Sequence, residues 1–380
     1  MPPPGNAAKT SIVTAHCFEN TVFILTDDGA LHTIGNGNPN WTRFQLKHVF
    51  ESIEYARFSP DADYMLILGS YPLPRHIGDK YDCECGWSVF DMATKREIKL
   101  MRTGIQNSPY DDHFEDRDGP TIADTGAFVS FDRSNSYFKL IDKHGEANDM
   151  ATSKLMQTYN EVGDTQNNTT RGERVSISSN AACVIVHCTT TYDDEDIPKI
   201  HRIELFFTDK TVVLPISEPY EMASCITNNN EYAVIGSMAW TKAFDISTGT
   251  LMYAISHDGS GPSGDLRMVQ TMKTPHLMYA KTSDSESSID ITVIRRALGE
   301  DEVVYPRDTL LRRNRVMSYH GLYAMNENNA VVVRQTKTAD GKTVKEHGIL
   351  TRYGWIVFPD ELTRLNSVSG SGEPEVRHTP

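Results

Sequence analysis

The chain has 380 residues, of which 39% are hydrophobic and 23% are charged, and its formal net charge at pH 7 is -14. This acidic balance argues against general binding to nucleic acids, because phosphate-rich partners need a net basic surface. Neither an apolar segment near the N-terminus nor a run of about 18 apolar residues occurs, so the sequence predicts no signal peptide, no membrane insertion, and a cytoplasmic or nuclear location.

Short alternating runs separated by turn residues recur along the chain and predict an all-β protein. In the clearest unit, residues 55–58 and 64–68 flank the turn Ser59-Pro60-Asp61, and residues 87–90 and 98–101 follow after a polar interruption. Four short strands joined by turns form one up-and-down antiparallel sheet. Such a sheet is the blade of a β-propeller.

Seven such units follow one another at a period of about 50 residues. In chain order, their strands are predicted at residues 12–16, 22–25, 31–34 and 43–46; 55–58, 64–68, 87–90 and 98–101; 121–123, 127–131, 137–141 and within 149–159; 175–177, 182–188, 200–207 and 212–216; 222–226, 232–237, 241–245 and 251–255; 268–271, 277–281, 289–295 and 303–305; 322–325, 330–335, 348–351 and 355–358. The sequence therefore predicts a seven-bladed β-propeller of four-stranded antiparallel blades over residues 11–365, between disordered ends at residues 1–10 and 366–380.

Closure of the ring is open to two interpretations at this point. Residues 12–16 either form the inner strand of their own blade or pair with the last blade and tie the two ends of the chain together. Both arrangements remove an exposed sheet edge, which would otherwise favour aggregation.

Two segments resemble the end of the third strand of a WD repeat, with Phe in place of Trp. They are Phe90-Asp91-Met92-Ala93-Thr94-Lys95 and Phe244-Asp245-Ile246-Ser247-Thr248-Gly249, and Phe58-Ser59-Pro60-Asp61 is similar to the first turn of that family. The resemblance implies a divergent WD-repeat-like propeller. It also implies an interaction scaffold that binds protein partners.

Predicted burial follows from the same register. We expect the aromatic side chains of Trp87, Phe90, Phe131 and Phe244 to lie in third strands and to pack between adjacent blades. Cysteines at positions 17, 183, 188 and 225 lie on or beside strand-like runs, where a reduced thiol serves as a small apolar residue.

Loop lengths differ between the two ends of the predicted strands. Turns from the first to the second strand and from the third to the fourth strand are short and share one face of the ring, called here the short-turn face. The other face, called here the elaborated face, receives the long insertions: 71–86, 103–119, 160–172, 190–199, 256–265, 283–288, 306–315 and 336–345. Insertions in repeat proteins concentrate on the face that binds, so we expect partner recognition there.

Three charged loops of the elaborated face supply the candidate partner-binding residues. They are Asp111, Asp112, Glu115 and Asp116; Asp193, Asp194, Glu195 and Asp196; and Arg307, Arg312, Arg313 and Arg315. Each loop has a simpler interpretation as solvated polar chain, or, for the arginines, as a balance to the neighbouring acids.

Metal and catalytic motifs are incomplete. Residues 110–119 offer oxygen ligands that a calcium ion could use, but Phe114 occupies the position where an EF-hand loop needs its first carboxylate, and Thr125 the position of its last Glu. Cys83 and Cys85 with His76 lack a fourth zinc ligand. The chain also contains no nucleophile elbow, phosphate loop or zinc-protease motif. We therefore predict no metal and no cofactor, and a non-enzymatic scaffold or adaptor. The alternative is a propeller enzyme of hydrolase or lactonase type with a site in the central channel, because such a site can gather residues from separate blades and leave no local motif.

Overall fold

The computed structural model describes residues 12–35, 38–71, 82–107, 121–132, 137–148, 168–192, 200–216, 223–227, 230–236, 240–256, 276–285, 288–297, 316–325, 329–337, 343–351 and 354–358. The regular secondary structure in these ranges is β-strand throughout. They contain no helix that is long and apolar enough to cross a membrane. The predicted disordered ends lie outside the described residues.

The strands form antiparallel sheets in chain order. The first half of the chain contributes β1 (Ile12–Phe18), β2 (Thr21–Thr26), β3 (Ala30–Gly35), β4 (Asn38–Gln45), β5 (Ser52–Phe58), β6 (Tyr64–Ser70), β7 (Asp82–Asp91), β8 (Arg96–Asn107), β9 (Phe128–Asp132), β10 (Tyr137–Ile141), β11 (Ala147–Asn148), β12 (Asn168–Ile177) and β13 (Val184–Tyr192). The second half contributes β14 (Ile200–Phe206), β15 (Thr211–Val213), β16 (Ala223–Ile226), β17 (Tyr232–Gly236), β18 (Trp240–Asp245), β19 (Leu251–Ser256), β20 (His276–Ser285), β21 (Ser288–Ala297), β22 (Val316–Met325), β23 (Asn329–Lys337), β24 (Thr343–Thr351) and β25 (Gly354–Val357).

Each sheet is a simple meander in which every strand pairs with the strands next to it in the chain. Five sheets have four strands: β1–β4, β5–β8, β12–β15, β16–β19 and β22–β25. The first four of these are blades whose packed faces are largely described. This confirms the predicted all-β fold of antiparallel four-stranded blades.

The two remaining sheets are smaller. One contains β9, β10 and β11, and a single bridge between Ile122 and Phe128 adds the predicted strand at residues 121–123 to it. The other contains β20 and β21 alone. Seven complete blades are therefore not seen in the described residues, and the count of seven stays a prediction.

Neighbouring sheets surround a common axis with their first strands innermost. The strand β1 lies against β5 of the second sheet on one side and against β22 and β23 of the last sheet on the other. In the same way, β12 lies against β9 and β16. Because the first sheet meets the last, the sheets form a ring in a propeller arrangement.

Closure of this ring follows the first of the two interpretations. The strand β1 pairs with β2 of its own sheet, from Ile12 opposite Thr26 to Phe18 opposite Thr21. At the other end of the chain, β25 pairs with β24. No described strand is exchanged between the first and last sheets, so side chains close the ring.

Alternation of side chains gives each of the first five sheets two apolar faces in the described residues. In β7, Phe90 packs with first-sheet residues such as Leu25 and Leu31, whereas Trp87 and Val89 pack with Phe128 of the third sheet. In β18, Phe244 packs against fourth-sheet residues. These three aromatic side chains are buried, as predicted, in third strands. The prediction for Phe131 is wrong in its strand, because Phe131 lies in β9, the second strand of its sheet; its side chain lies outside the described ones.

Several predicted loops of the elaborated face are strands for part of their length. The strand β7 begins at Asp82 inside the predicted insertion 71–86, and β20 and β21 continue to Ser285 and from Ser288, which removes most of the predicted loop 283–288. Polar hairpin strands of this kind carry no alternating apolar signal, because they extend beyond the sheets that would bury one face. The fourth strand of the third sheet is also misplaced in the prediction, since it is Ala147–Asn148 and precedes residues 149–159.

The central position of Phe244 leads to a stability prediction. Its side chain is 1% exposed between two blades, so Phe244→Ala leaves a cavity in a core that neither blade can refill alone. We expect a loss of about 3–5 kcal/mol in the free energy of unfolding, measured by urea titration. The matched control is Leu251→Ala in the same sheet, whose side chain is 45% exposed, and which should change stability by less than about 1 kcal/mol. Equal effects of the two changes would contradict the assigned register.

Candidate functional site

All twelve predicted partner-binding residues lie outside the described residues. They fall in the segments 108–120, 193–199 and 298–315. The described strands nevertheless locate the points where these segments start and end: β8 ends at Asn107, β13 ends at Tyr192 and β14 begins at Ile200, and β21 ends at Ala297. The strand ends at Asn107, Tyr192 and Ile200 lie on the elaborated face. Ala297 ends a third strand and lies on the short-turn face, and the fourth strand predicted at 303–305, which would lead to the arginine segment, is outside the described residues. For the calcium alternative, Thr125 is described, and its Oγ1 accepts a hydrogen bond from the Ala127 amide at 3.3 Å. The other side chains of the calcium alternative and those of the zinc alternative lie outside the described ones.

Strand extension distinguishes the elaborated face in backbone terms. Asp82 of β7 pairs with Asn107 of β8, although the ladder between β6 and β7 ends at Ser70 opposite Cys85. Similar extensions occur where Asn168 pairs with Tyr192 and where Lys337 pairs with Thr343. Paired strands therefore extend from several sheets toward this face.

The short-turn face has the opposite character, because its polar groups are bonded within the turns. Asp245 Oδ1 accepts hydrogen bonds from the backbone and hydroxyl groups of Ser247 and Thr248, at 2.7–3.0 Å. Asp91 Oδ1 accepts the corresponding bonds from Thr94. These bonds, led by those from Ser247 and from the Thr94 amide, hold the pKa of each carboxyl below its usual range. The predicted WD-like segments are thus confirmed as aspartate-capped turns, while membership of the WD-repeat family stays a prediction.

A second set of turns follows the innermost strands and shares one pattern. In the second sheet, the Ser59 amide donates to Tyr64 O and the Tyr64 amide donates to Ser59 Oγ. Ser178 with Cys183 and Thr227 with Tyr232 repeat both bonds. The fourth residue of each turn has a positive φ: Ala62 at 62°, Ala181 at 59° and Asn230 at 58°. These turns, together with the shorter turn at Ala123–Ala127, are called here the inner turns.

Hydrogen bonds join each inner turn to the next. The amide of Asp61 donates to Asp124 Oδ1 at 2.9 Å, the amide of Asp124 donates to Ser179 O at 2.8 Å, and the amide of Ser179 donates to Asn230 Oδ1 at 3.1 Å. These bonds connect the second sheet to the third, the third to the fourth and the fourth to the fifth. The inner turns therefore form a continuous hydrogen-bonded arc around the ring axis.

His16 extends this arc to the first sheet. Its Nε2 lies 3.1 Å from Pro60 O, and its ring stacks on Phe58 at 5.5 Å between centroids. Because a carbonyl oxygen only accepts, Nε2 carries the proton. Burial lowers the pKa of His16 to about 4, so the ring is neutral at pH 7. Across the whole arc, each sheet donates to the sheet that follows it in the chain.

Asp61 and Asp124 form a carboxyl pair at one joint of the arc. Asp61 Oδ1 accepts bonds from Ser59 Oγ and from the Asp63 amide, both at 3.0 Å. Partial burial, together with the adjacent Asp61 carboxyl, raises the pKa of Asp124 to about 7. Near neutral pH the pair therefore holds a proton that two separate aspartates would release.

This arrangement favours a joint between blades over a site for chemistry on a substrate. Asp61 Oδ1 accepts hydrogen bonds from a hydroxyl and an amide of its own turn, and Asp124 Oδ1 accepts one from the amide of Asp61 in the neighbouring turn. Among residues whose placement is described, no group of three or more His, Cys, Asp and Glu is arranged to hold a metal. The described thiols of Cys17, Cys183 and Cys225 are reduced and buried, as expected for apolar filling, and burial raises the pKa of the latter two to about 12.

Sequence interpretation treated the inner turns as plain connections and missed their bonds to one another. A signal was present: Ser or Thr recurs at the first position of the turn, with Asp or Asn two residues later, at Ser59, Ser178 and Thr227. Sequence spacing alone does not show that the turns of successive sheets meet. Only the ring brings Asp61 beside Asp124, 63 positions further along the chain.

No protein-family model and no curated protein matches the sequence. Solved structures similar to this chain include the β-propeller domain of the trilobed protease from Pyrococcus furiosus, described as having an open velcro topology, at 12% identity and a TM-score of 0.48, covering 93% of this chain and 98% of that one. Another is the mitotic checkpoint complex, at 9% identity and a TM-score of 0.39, covering 94% of this chain and 98% of that one. A third is dipeptidyl peptidase 4 from Porphyromonas gingivalis, at 11% identity and a TM-score of 0.45, covering 89% of this chain and 53% of that one. The propeller assignment rests on the sheet topology and the ring of contacts described above.

Titration of Asp124 should make the stability of the ring depend on pH. Its pKa is higher in the folded chain than the ordinary 3.8, so the folded state binds a proton more tightly and loses stability as pH rises from about 4 to about 7. Asp124→Asn keeps an Oδ1 acceptor for the Asp61 amide and stays neutral. We expect it to raise the melting temperature above that of the native chain at about pH 8 and to change it little at about pH 4.

Two further variants serve as controls for this measurement. Asp124→Ala removes the acceptor and should destabilise the chain at about pH 4, where the native carboxyl is neutral, by about 1–3 kcal/mol. Asp142→Asn should lower the melting temperature at about pH 8, which is the opposite of the effect of Asp124→Asn. Hydrogen bonds, led by that from the Glu146 amide, lower the pKa of Asp142, so its ionised form stabilises the fold as pH rises. A native-like pH profile for Asp124→Asn would show that the pair does not titrate as assigned.

Proposed function

We propose that this chain is a non-enzymatic interaction scaffold: a WD-repeat-like ring of seven blades that presents its elaborated face to a protein partner. One observation carries the proposal, namely the difference between the two faces. Polar groups of the short-turn face are bonded inside and between its turns, whereas strands such as β7 and β8 extend past their sheets on the other face. A face with extended strand pairs offers more backbone and side-chain surface to a partner than a face of short, internally bonded turns.

In this proposal, the three charged loops predicted for the elaborated face supply the specificity for the partner. The acids at 111–116 and 193–196 and the arginines at 307–315 would form a rim of both signs around the elaborated face. Charges at the rim of an interface act mainly on association rate, on salt dependence and on rejection of wrong partners. The net charge of -14 favours a partner with a basic surface.

Seven blades are part of the proposal. The isolated bridge between Ile122 and Phe128 supports a fourth strand at residues 121–123 in the third sheet. The hairpin β20–β21 matches the second and third strands predicted for the sixth unit, and the segments 268–271 and 303–305 would complete it. An intracellular location in the cytoplasm or nucleus fits the same proposal.

The enzyme alternative would place a hydrolase or lactonase site in the central channel. Asp61 and Asp124 are the described carboxyl pair nearest to that requirement. Their bonds to Ser59 and to backbone amides support a role in joining blades, because a general acid or base must face its substrate. We therefore place the scaffold first.

Charge reversal on the two faces tests the proposal. In the first variant, Asp193, Asp194, Glu195 and Asp196 are changed to Lys together. The partner is first identified by isolating the tagged native chain with its co-purifying proteins, and association is then measured by surface plasmon resonance at low and high salt. We expect the variant to associate at least about tenfold more slowly and with a flatter salt dependence, because steering by these charges is lost.

A matched variant reverses four exposed acids of the short-turn face: Glu19, Asp63, Asp209 and Glu231, whose side chains are solvent-facing in the described turns. It changes net charge by the same amount and should leave the association rate within about twofold of native. Slower association for this variant alone would show that the functional face has been assigned backwards. Circular dichroism of both variants checks that the fold is retained.

A further inference from the structure

The outer strand of each four-stranded sheet has an open edge, because no described strand pairs with it on its far side. These outer strands are β4, β8, β15, β19 and β25. Backbone amide and carbonyl groups on such an edge can pair with a strand of another molecule. Natural proteins oppose this pairing with charged residues, with proline or with a very short strand. The five edges differ in how far they are protected in this way.

Four of these edges carry protection. The strand β4 contains Pro39, and β8 contains charged residues that include Arg96 and Lys99. The strands β15 and β25 have only three and four residues, and a proline follows each of them two positions later, at Pro215 and Pro359. Each of these edges therefore opposes strand pairing through charge, proline or short length.

The strand β19 has none of these protections. It covers six residues and contains neither a charged residue nor a proline. Three of its side chains are exposed: Leu251 at 45%, Met252 at 46%, and Ala254. On its inner side, β19 pairs with β18 along its whole length. An uncharged and largely apolar strand is thus held open at the outer edge of the fifth sheet.

The sequence of β19 is complementary to itself in an antiparallel pair. When two copies pair about a two-fold axis at Tyr253, Met252 of one copy lies opposite Ala254 of the other. In the same register, Leu251 lies opposite Ile255. A large side chain then meets a small or an apolar one, and no charge faces a like charge, although each chain carries a net charge of -14. A second copy of this chain therefore fits the edge.

We propose that β19 is a self-association edge, through which two copies of this chain pair antiparallel and form a dimer. The pairing joins the fifth sheets of the two copies into one continuous sheet. An interface confined to one strand is small, so the dimer forms and dissociates readily. This inference does not depend on the scaffold proposal, because it uses the outer edge of the fifth sheet and leaves the elaborated face free.

Sedimentation velocity of the full chain tests this pairing from about 1 μM to about 200 μM, the range in which a weak interface associates. We expect the average sedimentation coefficient to rise with concentration from the value of a monomer toward that of a dimer. Association should strengthen as salt is added, since salt screens the repulsion between two chains of net charge -14. Charge-steered association with a basic partner slows under the same conditions, so the two kinds of binding are distinguished.

Lysine on the open edge provides the test variants. Met252→Lys and Ala254→Lys, made separately, should each raise the dissociation constant of the dimer at least about tenfold, because each charge enters the interface twice. Matched controls place the same charge on two other outer strands. Val213→Lys on β15 and Val357→Lys on β25 replace side chains that are 53% and 45% exposed, and should leave the dissociation constant within about twofold of native. Circular dichroism of all four variants checks the fold.

A chain that stays monomeric over the whole concentration range would overturn the proposal. A dimer that persists in both β19 variants, or that the control variants weaken equally, would also overturn it, because the interface would then lie elsewhere. Growth beyond the dimer would do the same, since two-fold pairing uses both open edges and closes at two copies. A monomeric chain whose Met252→Lys variant no longer co-purifies with a protein partner would assign the edge to that partner and reject the second copy.

Discussion

Each of the first five sheets has two apolar faces in the described residues and can bury them only against its neighbours. Phe90 on one side of β7 and Trp87 on the other show the constraint directly, because one side chain packs on the first sheet and the other on the third. A single blade would leave half of these groups in water, at a cost of about 25 cal/mol for each Å² of apolar surface. A closed ring satisfies all blades at once, which is why no separate hydrophobic core is needed and why the blades depend on one another for stability.

Apolar packing by itself does not define how blades are aligned along the ring axis, and the inner turns supply that alignment. Hydrogen bonds have fixed length and direction, so the series from His16 through Asp61 and Asp124 to Ser179 and Asn230 sets each blade at one height relative to the next. A ring built from one linear chain has one boundary without a crossover. Because β1 pairs within its own sheet, no described strand crosses that boundary, and side chains of the first and last sheets, such as Ile24 and Phe358, pack across it.

The same turn chemistry explains why the two faces can serve different purposes. Asp91 and Asp245 direct their carboxylates into their own turns, and this use of polar groups keeps the short-turn face compact. Strand ends on the elaborated face have no such limit, since a pair of strands can lengthen by adding paired residues without disturbing the rest of the sheet, as β7 and β8 do at Asp82 and Asn107. Variation in length is therefore tolerated on one face only, and the proposed partner surface is placed there.

Local patterns in the sequence were sufficient for the blade. Alternation around Phe244 and the turn residues Asp245 and Gly249 predict a strand, its buried face and its end, because these depend on neighbours within a few positions. The polar extension of the hairpin β20–β21, to Ser285 and from Ser288, escaped prediction, since strand ends that leave the sheet lose the alternation that marks them. The tertiary structure alone decided which sheets meet: it brought Asp61 to Asp124, paired β1 with β2 and placed Cys17 and Phe358 in one apolar cluster. Contacts between residues so far apart depend on closure of the whole ring, and closure is a property of all the blades together that no single stretch of sequence encodes.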